Sequence, residues 1–455
     1  MDETIAHNSC EEDVSRTSLP PWFLEGWRIF TLGLWLQLLR CSSLYWASSI
    51  VSAASPSPPE FIAGVVLHTI GIAGIGLLAT LFIADYTSLR WRGAALSWTY
   101  LPSLITIWVG PKLYATVPWR WIYGMTSILM FILCVPAGYL LFSAARNTSV
   151  TSTPLTPRST RLASHMDLIG LSIFTLGFGL IEYNSDTSRD SMSDEYSPGR
   201  IAKLTIGILL VFPVFVLWEL YGASSPLMPG RILRQKGVLF AIIVNFLFWF
   251  ASAFPEGDLM DFVYFAWNSN TVGYLLSTSG IAYGASAPFL GLAYYVTRRY
   301  KPFLFLGNIL FALGCGLWLY AARRWDFEMA DQVSASMTYL FTIQVLIGIG
   351  NIAVEMSTLI GAQASVTHDD LAIATTMMSA WSQLATSVSL PVVTATFARL
   401  TNPTKSTVSL SLALGISILC ILLSLFVPNY VLGSKQNAVE GEHQVEQDSL
   451  ESQSK

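Results

Sequence analysis

Charge is what this sequence has least of. Of its 455 residues only 12% are Asp, Glu, Lys or Arg, about half of what a soluble chain of that length carries. Cysteine is also sparse. Cys10, Cys41, Cys134, Cys315 and Cys420 are scattered, four of them in apolar runs. They form no CxxC and no zinc spacing, which excludes a disulfide scaffold or a zinc module and leaves buried small residues. No HExxH pair, nucleophile elbow or Walker-type GK[ST] occurs. An enzyme, a resident metal, a bound cofactor and ATP drive are therefore not expected, and nothing points to nucleic acid. The N-terminus lacks a basic start followed by a short apolar core, so it does not read as a secretory signal. Alternating ten-residue strands, the mark of a membrane barrel, are missing too.

What the chain does have is apolar length. Hydrophobic residues make up 53% and the mean hydropathy is +0.53. A bilayer core about 30 Å thick takes roughly 20 apolar residues per helix. Such runs recur at roughly 28–52, 59–83, 93–114, 120–143, 166–183, 202–222, 237–255, 272–296, 302–322, 337–360, 371–397 and 407–431. The fold expected is all-α, a polytopic membrane protein with about twelve transmembrane helices. The span at 237–255 is open to extension through Trp267.

Lys and Arg set the orientation. With both termini in the cytoplasm, fifteen of the 25 basic residues fall on the cytoplasmic side and nine on the other, with Arg40 inside a span. The opposite side also collects Glu182, Asp186, Asp190, Asp194 and Glu195 in one loop. This topology puts the acceptor sequence "NTS" at Asn147 on the cytoplasmic side, so it is expected to carry no glycan.

Two turns stand out. "FIADYTSLRWRGAALSW" (82–98) places Asp85, Arg90, Trp91 and Arg92 between two apolar runs. "GAQASVTHDDLAIATTMMSAW" (361–381) places His368, Asp369 and Asp370 between two others. With "VGP" (109–111) and "WRWIYG" (119–124), these turns resemble the 14-helix branch of the major facilitator superfamily, and within it the fungal siderophore–iron transporters. "RRYKPFLFLGNILFALGCGLWL" (298–319) and "SASMTYLFTIQVLIGIGN" (334–351) are similar at the level of the superfamily. The resemblance covers most of residues 27 to 432 and implies a major facilitator-like helical bundle. On that alignment the turn at 84–93 follows the family's fourth helix, and the chain begins at its third. Residues 27–143 then form a partial first bundle of four helices. Residues 144–236 form a linker region with two helices, and 237–432 a second six-helix bundle. Residues 1–26 and 433–455 are expected to be disordered cytoplasmic tails.

The resemblance implies a monomeric secondary carrier in the lipid bilayer, with a small-molecule substrate. Its activity would be proton-coupled uptake of ferric siderophores at the plasma membrane, with a vacuolar or vesicular membrane as the other location. Two other readings stay open: a 14-helix exporter of drugs and amphipathic compounds, and a truncated, non-transporting homologue. Charges inside helices are costly unless paired or hydrated. Glu355 is thus a candidate for proton coupling, and Arg40 and His68 for binding an anionic ligand. Arg40 could equally snorkel, and His68 could be a packed, hydrogen-bonded residue. Asn245, Phe248, Trp249, Tyr274, Tyr283 and Trp381 are cavity candidates, with Asn245 and Trp381 preferred. Tyr264 and Trp267 fit an interface belt better. Asp85, Arg90, Arg92, His368, Asp369 and Asp370 are candidates for a gate that breaks when the carrier opens. The arginines read equally as interface anchors, and Thr367, Asp369 or Asp370 as a cap on the helix starting near Leu371.

Overall fold

The computed structural model describes residues 41–147, 167–186, 198–223, 226–266, 269–324, 333–399 and 402–433. These residues are overwhelmingly helical and include no β-strand, as a chain crossing hydrocarbon must be if every backbone group is to find a partner. Among the described residues seven helical segments are long and apolar enough to cross a membrane. They are Pro58–Tyr86, Trp119–Pro136, Ile201–Tyr221, Lys236–Gly257, Lys301–Arg323, Met337–Ala364 and Thr407–Ser424. Leu89–Thr116, Ser269–Thr297 and Leu371–Arg399, at 28 or 29 residues each, are as long but more polar. Helices that face other helices can carry more Ser, Thr and Tyr. The protein is a polytopic helical membrane protein.

Two compact units divide the chain: Met1–Phe82 with Val117–Thr156, and Ile83–Thr116 with Pro157–Lys455. The first contains α1 (described over 41–54), most of α2 (Pro58–Tyr86) and α4 (Trp119–Asn147). Glycines let α1 and α2 touch. A Cβ on Gly71 would lie 2.7 Å from the Tyr45 backbone nitrogen, and one on Gly64 3.1 Å from that of Ser52. Phe61 meets Trp119 and Tyr123 edge-on at 5.2 and 5.7 Å. Arg120 Nη2 donates to the Ser55 carbonyl at 3.1 Å, tying α4 to the turn after α1.

The second unit starts with the last residues of α2 and with α3 (Leu89–Thr116). It continues through α5 (Leu168–Asp186), α6 (Pro198–Leu209), a π-helical turn at Leu210–Val214 and α7 (Phe215–Tyr221). Pro213 in that turn has no N–H to give, which is reason enough for the ladder to change register there. Next come the short α8 (Gly230–Leu233), α9 (Lys236–Ala266), α10 (Ser269–Thr297), α11 (Lys301–Arg324), α12 (Val333–Ala364), α13 (Leu371–Arg399) and α14 (Asn402–Ser424). α3 packs on α10, α10 on α12, α12 on α11, and α11 on α14, while α9 lies against α13 and α14. α5 packs on both α6 and α13. Asp167 pins the pair made by α5 and α7. It caps Gly170 N at 2.9 Å and accepts from Trp218 Nε1 at 2.8 Å.

Some expected boundaries move. α9 runs unbroken past Pro255 to Ala266, eleven residues beyond the shorter version of that span, while Trp267 lies outside the described residues. The last span ends at Ser424 rather than 431. A turn at 425–427 and Pro428 end the helix, since proline cannot continue the ladder. Residues 428–433 then run as a strap without regular secondary structure. Lys301 Nζ donates to Leu425 O at 2.7 Å and the Tyr300 hydroxyl to Pro428 O at 2.5 Å. Burial pushes the Tyr300 phenol up from its ordinary titration range, which keeps it a donor. Leu432 N pairs with Arg298 O, and Arg90 N with Gly433 O, both at 3.0 Å.

Candidate functional site

Two groups of polar residues lie within the second unit. The deeper one centres on Glu355 of α12. The Tyr283 hydroxyl of α10 donates to its Oε2, and Tyr100 of α3 donates to Oε1 at 3.4 Å. The two tyrosine rings meet edge-on at 5.3 Å. One turn along α12, Thr358 Oγ1 lies 3.0 Å from the Glu355 carbonyl and 3.4 Å from Asn245 Oδ1 on α9. Asn245 Nδ2 reaches Ser382 Oγ of α13 at 2.5 Å. Five helices thus converge on one polar thread.

Its depth follows from helix rise. Glu355 is nine residues from the end of α12 at Ala364 and Asn245 nine from the start of α9 at Lys236. At 1.5 Å per residue each is about 14 Å in. Tyr100 and Ser382, each eleven residues from a helix start, are about 17 Å in. That is near the middle of a core about 30 Å thick. A carboxylate there is held by phenol donors and, among the described residues, by no ion pair to a basic side chain. It can take or release a proton without breaking an ion pair.

The shallower group joins the two turns. Arg92 is fully buried and donates from Nη2 to Ala84 O at 2.8 Å. Asp85, 4% exposed, lies within the field of Arg92 and 4.0 Å from His368 Nε2. Asp370 pairs with Arg231 of α8 at 2.5 Å. A buried Arg92 is not where a headgroup anchor sits. Arg90 is half-buried, its Nε donating to Tyr295 O at 3.3 Å and its guanidinium 4.1 Å from the Tyr295 ring centre. Thr367 occupies the N-cap place before a one-turn 3₁₀ helix, His368–Asp370, without a side-chain cap bond. The Asp370 carboxylate, a cap candidate from the sequence, is engaged by Arg231 in a bond charged at both ends.

The other candidates are placed as follows. Arg40 and Trp267 lie outside the described residues, as do the side chains of Asp369 and Tyr264. His68 belongs to the first unit, where its ring lies tilted against Tyr45, their centres 4.4 Å apart. Trp381 packs with Phe246, their ring centres 5.9 Å apart, in the apolar cluster that joins α5 to α13. The sequence reading passed over Tyr100, Thr358, Ser382 and Arg231. Each is ordinary in its own segment, and only the partner across the helix interface singles it out.

No family model matches the chain. It is 29% identical over 370 residues to a siderophore transporter of Zymoseptoria tritici, a match that takes in 76% of this chain and 56% of that one. It is 27% identical over 347 residues to siderophore iron transporter 1 of Schizosaccharomyces pombe, covering 74% and 55%. The low affinity heme transporter str3 of the same yeast is 24% identical, covering 75% and 56%. The chain therefore spans about half the length of the curated relatives it matches. Among solved structures it is similar to the POT family transporter PepTSo, with a TM-score of 0.52 at 13% identity, covering 86% of this chain and 83% of that one. That likeness speaks for the fold.

Proposed function

We propose that this chain is a proton-coupled secondary transporter for uptake of ferric siderophores. The similarity to proteins named siderophore transporters along three-quarters of its length carries the substrate class. The carboxylate of Glu355, held by Tyr283 and Tyr100, supports the coupling. Protonation would remove the charge from a mid-membrane acid and so ease the rearrangement that carries substrate across. In this reading Asn245 couples the helix of Glu355 to α9 and α13, while Arg40 and His68 are the candidates for an anionic ligand. Asp85, Arg92 and His368, with Asp370 latched by Arg231, form the gate that separates on opening. The carrier acts as a monomer in the plasma membrane with both termini in the cytoplasm. Residues 237–432 are its second bundle.

The test is uptake of radio-iron chelates by cells stripped of their own carriers. Ferric siderophore, ferric porphyrin and an amphipathic dye are supplied separately. Saturable siderophore uptake that rises as the outside is acidified is the expected result. No uptake at any pH, with the protein present at the membrane, overturns the proposal. Uptake confined to porphyrin transfers the reading to the chemistry named for the yeast heme relative. Dye efflux alone transfers it to an exporter.

A further inference from the structure

Arg298 ends α10 in a conformation seldom given to arginine. Its φ is 54°, the single positive value among the described non-glycine residues. Its N–H closes the helix onto Tyr294 O at 2.9 Å, and its carbonyl accepts from Leu432 N. Glycine usually fills such a place after a helix, because a Cβ there is strained. An arginine retained against that preference points to a use for its side chain. The guanidinium group is exposed, as is that of Arg299 beside it. Arg90 lies over the neighbouring Tyr295 ring, and the Trp91 ring meets that ring at a tilt, their centres 4.2 Å apart. The two ion pairs found among the described residues lie elsewhere, at Arg231–Asp370 and His368–Asp85.

Below this cationic turn α10 presents an apolar stripe. Phe289, Leu292 and Val296 are 74%, 58% and 68% exposed and follow one helix face at three- and four-residue spacing. Trp91, 54% exposed, sits at the height where interfacial aromatics belong. An apolar stripe capped by arginines is complementary to one kind of molecule, with acyl chains on the stripe and a negative headgroup on the guanidinium groups. The positive-inside reading puts this turn in the cytoplasmic leaflet, where anionic lipids gather.

We propose that Arg298 and Arg299, with Arg90 beside them, bind the headgroup of an anionic phospholipid whose chains lie along Phe289, Leu292 and Val296. The site needs only the membrane placement of α10 and is independent of what the protein carries.

The test uses the full chain in nanodiscs of phosphatidylcholine, with and without added phosphatidylserine. Native mass spectrometry counts retained phosphatidylserine. Arg298→Gly suits the left-handed backbone and keeps the fold, while removing the side chain. It and Arg299→Gln should each weaken retention about fivefold, the effect of roughly one basic residue at a charged surface. Arg234→Gln with Lys236→Gln, on the same expected side, should leave retention unchanged. Equal losses in all variants would reduce the site to general surface charge and overturn it. Inorganic phosphate that displaces the lipid completely at physiological concentration would overturn the headgroup assignment. Lipid retained only after residues 436–455 are deleted would mean that the acidic tail holds this turn in the intact chain, which also overturns it.

Discussion

Glu355 and Arg92 are the two side chains whose replacement says most, and for opposite reasons. Glu355 is a carboxylate with two phenol donors and, among the described residues, no ion pair to a basic side chain. A neutral amide of the same shape keeps the packing. We expect Glu355→Gln to reach the membrane and bind substrate, while uptake loses its dependence on external pH. Uptake that still follows pH would remove Glu355 from coupling. Arg92 is buried against the backbone of α2 and in the field of Asp85. Removing one member of a buried charged pair strands the other, at a cost of about 3–5 kcal/mol. Arg92→Ala should therefore fold poorly, with Asp85→Asn in the same chain recovering part of the yield. Thermal unfolding in detergent measures both, and no recovery would mean that the two charges do not act together. The sequence made the charges of both turns conspicuous, because charge is rare in apolar surroundings. It could not tell that Arg92 points inward while Arg90, two residues earlier, lies over Tyr295. Two arginines on one helical turn look alike until the neighbouring helix is in place.

Helix length and position were legible because hydrocarbon demands long apolar runs, and each expected span falling in described residues is helical over most of its length. Helix ends were less so. The fall from α14 through the turn at 425–427 into the strap at 428–433 hides within residues as apolar as those of the helix. Only the turn and Pro428 mark it. Pairing of helices was illegible for another reason. It depends on where backbones approach, and glycine is common in many spans. Gly291 is one that matters. A Cβ there would lie 2.8 Å from Ala94 Cα and equally close to Gly93 O, so α10 could no longer seat on α3. Gly348 has the same role between α12 and α10, where a Cβ would lie 2.8 Å from the Ala282 methyl. Since backbone cannot yield as a side chain does, Gly291→Ala should cost about 1–3 kcal/mol. Gly316, whose Cβ would meet nothing within 4 Å, should accept alanine freely. Equal unfolding temperatures for the two variants would show that the α3–α10 contact does not govern stability.

At the scale of the whole molecule the division into units departs from a simple sequential split. α3 comes early in the chain, yet it belongs to the same compact unit as α9 to α14 and gives Tyr100 to Glu355. Any rocking of the Glu355 region must therefore either carry α3 along or break the Tyr100 contact. This makes orientation testable with two tagged sites. The proposed topology puts Asn147, at the end of α4, and the strap on the cytoplasmic side, and the loop at 187–197 outside. Asn147 should stay unglycosylated in a secretory membrane although "NTS" is intact, because the transferase acts only on the far side. An acceptor sequence inserted at residues 190–192 should gain a glycan. A cysteine at Lys435 should react with an impermeant maleimide only after the cells are opened. Glycan on Asn147, or labelling of residue 435 in intact cells, would invert the topology. It would also move Asp85, Arg92 and His368 to the outer face, where the same charges would close the entrance to the carrier instead of its exit.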